Sequence, residues 1–223
     1  MKKILITRPK EQATELANFI NSSGNFAFIE PIFEVEFYNY TKINYPFLAI
    51  IITSINAVSA LEAINPKKNI KIFTLGKKLS EKLTNLGFTN LTIAKDSAAQ
   101  LFIEIAKFNE AILYLRGERI SFDFAAQFKN ILEIVTYKIV ENRAFSENFL
   151  NFCKNNNFDE ILLFSKNSGE TFISLLKRHN LLANFINSKM VCLSKNICDF
   201  LDKSGFKNHQ TFAENLIVKK FYD

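Results

Sequence analysis

The chain repeats itself, faintly, and this limits what it can fold into more than any other feature. Ile4-Leu5-Ile6-Thr7-Arg8-Pro9 echoes Ile112-Leu113-Tyr114-Leu115-Arg116-Gly117, and Ile51-Ile52-Thr53-Ser54-Ile55-Asn56 echoes Leu162-Leu163-Phe164-Ser165-Lys166-Asn167. Gly76-Lys77-Lys78-Leu79, with Leu83 and Leu86-Gly87-Phe88, echoes Ser194-Lys195-Asn196-Ile197, with Leu201 and Ser204-Gly205-Phe206. The offsets run from about 108 to 118 residues, the size of one small domain. The copies agree where an apolar run gives way to a polar or glycine-bearing turn. Ligands of α/β sheets bind at the carboxyl ends of the strands. Two similar lobes whose matched loops face one ligand across a cleft are therefore expected.

Short apolar runs alternate with segments of helical period. Strands are expected at 4–7, 26–29, 48–53, 72–75, 111–115, 160–164 and 190–193. Helices are expected after Pro9 and at 56–64, 77–86, 98–107, 119–129, 168–177, 196–203 and 213–221. This alternation implies parallel sheets with helices on both faces. Two segments break the rhythm. Residues 32–40 and 131–140 alternate apolar and polar side chains, so each is wet on one face, and they occupy equivalent places in the two copies. They read as linker strands. If they pair, the chain crosses between lobes twice, so that 41–130 forms one lobe and 1–31 joins 141–223 in the other. The repeat alone also allows contiguous lobes divided near residue 110.

The net charge of +6 favours an anionic partner or simply a solvated basic surface. The basic residues are spread rather than gathered in an arm, and most Phe residues fall in apolar periodic runs. A nucleic-acid surface, which needs exposed aromatics beside basic clusters, is not expected. Cys153, Cys192 and Cys198 lack metal-ligand spacing, and His179 and His209 have no evident partners. Neither a disulfide scaffold nor a zinc site is expected, and a reducing cytoplasm fits. Thr7-Arg8-Pro9 cuts the first apolar run too short for a signal peptide, and no run is long enough for a membrane span. No oligomerisation surface is legible, which leaves a monomer as the default.

No nucleotide-phosphate loop and no nucleophile elbow are present. What remains are strand-end hydroxyls and helix starts: Thr53-Ser54, Gly76, Asp96-Ser97, and Ser165 with Ser168. Exposed N–H groups at helix starts bind carboxylates or phosphates. The same hydroxyls could instead only cap helices, at about 1 kcal/mol each. Arg8 and Arg116 share one position in the two copies, and either could clamp a carboxylate or form a salt bridge. Tyr137, on the second linker strand, could be a proton donor or a packing residue.

On these residues the chain resembles the uroporphyrinogen-III synthase family. The anchors are Ile6-Thr7-Arg8-Pro9 with Gln12 and Leu16, Thr53-Ser54-Ile55-Asn56-Ala57-Val58, Leu75-Gly76 with Leu83 and Gly87-Phe88, and Ser97 with Leu101. Leu115-Arg116-Gly117, Tyr137, Phe164-Ser165 with Ser168-Gly169, Leu201 and Gly205-Phe206 complete them. The resemblance implies an α/β fold: two parallel-sheet, flavodoxin-like lobes joined by a two-stranded β ladder, with linear hydroxymethylbilane bound between them. It implies cyclisation with loss of water and inversion of ring D, without metal or organic cofactor. The family tyrosine that assists hydroxyl departure falls on Tyr137. Substrate contacts are expected from Arg8, Thr53, Ser54, Gly76, Lys77, Ser97, Arg116, Gly117, Ser165, Ser168, Ser194 and Lys195. The chain departs from the family at Leu193-Ser194-Lys195-Asn196-Ile197-Cys198, where Ile-Gly-Pro-Thr-Thr-Ala is usual; there Lys195 could replace a hydroxyl as carboxylate partner. A two-lobed module that binds an anionic metabolite without turning it over is the alternative reading.

Overall fold

The structure is a computed structural model in which residues 1–39, 46–94 and 97–222 are described. Tyr40, the expected end of one linker strand, the start of the 41–130 segment, and Asp96 beside Ser97 lie outside the described residues. The chain divides into two compact units, one made of residues 1–34 and 140–223 and the other of residues 35–139.

The first unit begins with β1 (Lys3–Ile6), α1 (Lys10–Ser22) and β2 (Phe26–Ile29). Pro9 stands at the N-cap of α1, where a missing N–H costs nothing. The chain leaves this unit within β3 (Phe33–Phe37) and enters β4 (Ala49–Ile52), which a short 3-10 turn at Ile55–Ala57 joins to α2 (Val58–Ile64). β5 (Lys71–Leu75), α3 (Lys77–Asn85), β6 (Leu91–Ala94), α4 (Ala98–Ile105), β7 (Ile112–Gly117) and β8 (Ile131–Glu141) follow. Back in the first unit come α5 (Glu147–Cys153), β9 (Glu160–Leu163), α6 (Lys166–Arg178), α7 (Leu182–Phe185) and β10 (Lys189–Cys192), then α8 (Lys195–Lys203), β11 (His209–Thr211) and α9 (Leu216–Tyr222). No helix among the described residues is long and apolar enough to cross a membrane.

The sheets explain the sequence repeat. The first has the order β11-β10-β9-β1-β2, the second β6-β5-β4-β7-β8-β3. β9 and β4, β1 and β7, β10 and β5 take the same places, and these are the strands whose sequences echo one another. The paired neighbours within each series run parallel. In chain order the first sheet reads 2-1-3-4-5, the flavodoxin-like winding with its switch point between β1 and β9. The second has the same spatial order with different connections, which puts its switch point between β4 and β7.

Central strands are sealed on both faces. All four residues of β4 are buried, and each Ile so buried stabilises by roughly 1.5–3 kcal/mol. In the second unit Ile50, Ile52, Leu113 and Leu115 face one helical layer, while Ile51, Phe73 and Tyr114 face the other. In the first unit Leu5, Ile161 and Leu163 pack on one side with a Phe cluster that includes Phe149, Phe158 and Phe185. Ile4, Ile6 and Leu162 pack on the other. Glu160 is buried on β9, but its carboxylate is held by Lys2 at 2.5 Å and Asn215 at 2.9 Å, so it carries no unpaired charge into the core.

β3 and β8 are neighbours at one edge of the second sheet. Asn142 N donates to Ile32 O and Tyr38 N to Thr136 O, so one strand advances as the other retreats and the pair is antiparallel. β8 is also a full sheet member, parallel to β7 from Ile131 to Tyr137, rather than a linker alone.

The helix expected at 119–129 does not form. Phe122 and Phe124 instead contact each other at 4.7 Å between centroids, and turn onto Phe102 and Tyr114 respectively. The Asp123 carboxylate accepts from Ala126 N, closing a local turn that competes with helix. The sequence reading also missed β6, α5, α7 and β11, which are short.

Candidate functional site

The second unit carries a cavity of about 160 Å³ at its switch point, against the carboxyl ends of β4 and β7. Thr53, Ser54, Gly117 and Tyr137, all expected site residues, line it. They are drawn from three different strands, so only the folded sheet brings them together.

Tyr137 is placed by a β-bulge. Along β7 and β8 the register runs Arg116 opposite Val135, then Gly117 opposite Tyr137, so Thr136 is the extra residue. Thr136 is fully buried, and its hydroxyl donates to Arg116 O at 3.1 Å, which holds the bulge closed. The shift seats the Tyr137 ring over Gly117. A Cβ at position 117 would lie 2.6 Å from Tyr137 Cζ and 2.8 Å from its oxygen, so only glycine leaves room for the ring. The phenol donates to Ser54 Oγ at 2.8 Å. Ser54 Oγ also accepts from Asn56 N at 3.3 Å, which leaves its own proton free to point elsewhere.

Tyr114, which sequence reasoning passed over as core, lies at the floor beside Thr53. Burial pushes its phenol above the ordinary value of 10, and a hydrogen bond with Thr53 pulls the other way. Leu75 and Ala98 complete one side. They adjoin Gly76 and Ser97, the N-caps of α3 and α4. Gly76 has φ of 72°, a conformation that suits glycine alone. Its own N–H is taken by Ala94 O at 3.0 Å, so the expected ligand donor is spent within the sheet edge. Ser97 Oγ accepts from Gln100 N. Lys77 is exposed and lies 3.8 Å from Glu81.

Arg116 is not placed as a free clamp. Nε and Nη2 grip the two Glu133 oxygens at 2.9 and 2.8 Å, and Nη1 donates to the carbonyls of Gly117 and Glu118. Its fork is full, and it secures the turn after β7. Of the two readings open for it, the salt bridge is the one the structure adopts.

The expected residues of the first unit all lie at the carboxyl edge of its own sheet. Arg8 donates to Gln12 and Tyr222 and stacks on Phe164 at 4.4 Å, which ties α1 to α9. Ser165 and Ser168 form a capping box at the start of α6. Ser168 is buried; its hydroxyl donates to Ser165 O at 2.6 Å and accepts from Ser165 N, so in this structure it caps the helix. Ser194 is the N-cap of α8 without a side-chain cap bond, and Lys195 beside it is exposed. The altered turn at 194–198 thus leaves a helix start open.

Sequence reasoning missed the loop that forms the outer wall, residues 119–124, because it was read as a helix. Arg119, Ile120, Ser121, Phe122 and Phe124 all line the cavity. No group of three or more His, Cys, Asp or Glu among the described residues could hold a metal ion.

Residues 13–215 match the family described as uroporphyrinogen-III synthase HemD. No curated protein matches the sequence significantly. Among solved structures, uroporphyrinogen-III synthetase from Helicobacter pylori 26695 matches with a TM-score of 0.64 and 16% identity, over 100% of this chain and 98% of that one. A mutant uroporphyrinogen III synthase from Thermus thermophilus matches with a TM-score of 0.51 and 12% identity, again over 100% and 98%. At such identities the likeness speaks for the fold alone, but the family match spans most of the sequence and includes every strand end that builds the cavity: this chain belongs to the uroporphyrinogen-III synthase family.

Proposed function

We propose that the switch-point cavity of the second unit is where this chain performs the family's reaction, closing linear hydroxymethylbilane to uroporphyrinogen III with inversion of ring D and loss of water. The observation that carries this reading is the Tyr137 hydroxyl, held at 2.8 Å from Ser54 in a cavity walled by aromatic and hydroxyl side chains. At about 160 Å³ the cavity is smaller than the roughly 300–1,000 Å³ that encloses a whole drug-sized ligand. It suits one pyrrole ring and its arms, with the remaining rings outside.

The chemistry needs little from the protein. Electrons of the terminal pyrrole expel the hydroxyl and leave an azafulvene. A proton supplied as the C–O bond breaks turns the leaving group into water. Tyr137, with Ser54 as its partner, supplies that proton, either directly or through the Ser54 hydroxyl. Attack by the substituted carbon of ring D gives the spiro intermediate, whose fragmentation and re-closure deliver the inverted ring. Holding ring D in reach of the azafulvene is the larger task, and it is one of orientation. The start of α4 at Ser97, next to the cavity-lining Ala98, suits one of the substrate's carboxylates. The three cysteines are free and buried, which suits a reducing cytoplasm.

The test is the isomer formed. Purified protein given fresh hydroxymethylbilane is expected to yield the type III isomer, whereas closure without inversion yields type I. Type I alone, at the rate of the protein-free control, would leave a binding module in place of an enzyme.

A further inference from the structure

Among the described residues twelve line the switch-point cavity, and of these Arg119 is the one with a charged side chain. It is exposed, and among the described residues its guanidinium has no ion pair or hydrogen bond. The acids of the same loop are engaged elsewhere: Glu118 accepts from Tyr38 Oη at 2.5 Å, and Asp123 caps Ala126 N at 3.0 Å. The backbone beneath Arg119 is fixed. Glu118 N donates to Tyr137 O at 2.8 Å, and Arg116 Nη1 holds the carbonyls of Gly117 and Glu118 at 2.9 and 3.2 Å. A free guanidinium on a braced turn, over a cavity of hydroxyls and aromatic faces, is arranged to receive a planar anion. Arginine meets a carboxylate with two parallel hydrogen bonds, which fixes orientation as well as position.

We infer that Arg119 clamps one carboxylate arm of the pyrrole ring seated against Tyr137 and sets that ring's orientation. The inference rests on the reading of the cavity given above. It also gives the two arginines of this turn different tasks: Arg116 builds the turn, and Arg119 reads the substrate. Arg119 touches no reacting atom, so its loss acts on binding and on fidelity more than on bond breaking.

The test compares Arg119→Ala and Arg119→Lys with the wild-type protein in two measurements. One is steady-state turnover of hydroxymethylbilane with isomer analysis. The other is binding of uroporphyrin III, a stable octacarboxylate, followed by fluorescence quenching. Arg119→Ala is expected to raise both KM and the porphyrin Kd on the order of tenfold to a hundredfold, as loss of a charge-assisted pair does. It should leave kcat within about threefold and increase the share of type I product. Arg119→Lys, which keeps the charge but not the fork, should recover part of the affinity and less of the fidelity. Wild-type KM and Kd in a folded Arg119→Ala variant would overturn the inference, as would a fall in kcat with KM and Kd unchanged. If the wild-type protein yields type I product alone while Arg119→Ala still weakens porphyrin binding, the catalytic reading falls and the clamp stands.

Discussion

At the scale of single residues the site depends on the fit of Tyr137 against Gly117 and Ser54. Tyr137→Phe keeps the ring's packing, including its 7% exposure within the second unit's core, and removes the proton. Because the substrate's own pyrrole can expel the hydroxyl, kcat is expected to fall at the lower end of the general-acid range, about 10²-fold, with some type III product retained and the thermal midpoint little changed. A variant with wild-type kcat at saturating substrate would make Tyr137 a packing residue. Gly117→Ala asks the complementary question. Its Cβ would meet the tyrosine ring at 2.6 Å, so the ring must shift and its bond to Ser54 is disturbed. The expected outcome is a kcat close to that of Tyr137→Phe although the phenol is still present, and little further loss in the double variant. Losses that multiply in the double variant would mean the two positions act independently.

At the scale of elements, the matched strand-end hydroxyls split into two kinds. Ser54 and Thr53 face a cavity, whereas Ser168 is sealed beneath the first turn of α6. Ser168→Ala should therefore register in stability rather than in substrate binding. Loss of a reciprocal cap costs about 1 kcal/mol, and for a chain of this size that lowers the midpoint by about 2–4 °C. Thermal unfolding and KM measured on the same preparation decide the matter; an unchanged midpoint with a raised KM would return Ser168 to the ligand. Sequence periodicity located α6, its cap and the strand before it, because a capping box is a local device written in adjacent residues. The loop at 119–124 was illegible for the opposite reason. Its Phe residues satisfy helical spacing, but Phe102 and Tyr114, far along the chain, offer them better packing than a helix would.

At the scale of the molecule, the second unit is a contiguous piece of chain whose two ends lie on neighbouring strands, β3 and β8. It has a core on each face of its own sheet. A fragment of residues 35–139 is therefore expected to fold alone with one cooperative thermal transition by circular dichroism. A fragment with the spectrum of an unfolded chain would show that this core depends on the rest of the molecule.

The sequence by itself determined the repeat, the parallel α/β character, most strands and helices, and the positions of Thr53, Ser54, Gly117 and Tyr137 as residues worth watching. All of these follow from local periodicity, turn chemistry, or the order of short motifs, including their resemblance to a family. Tertiary structure alone decided which of them meet. The bulge at Thr136 that aims Tyr137 depends on pairing with a strand some twenty residues away. Arg116 was claimed by Glu133 across the same pair of strands, and Arg119, at the cavity, was left without an ion pair among the described residues. Two arginines three residues apart carry the same charge and the same fork; what separates them is whether the fold places a carboxylate within reach.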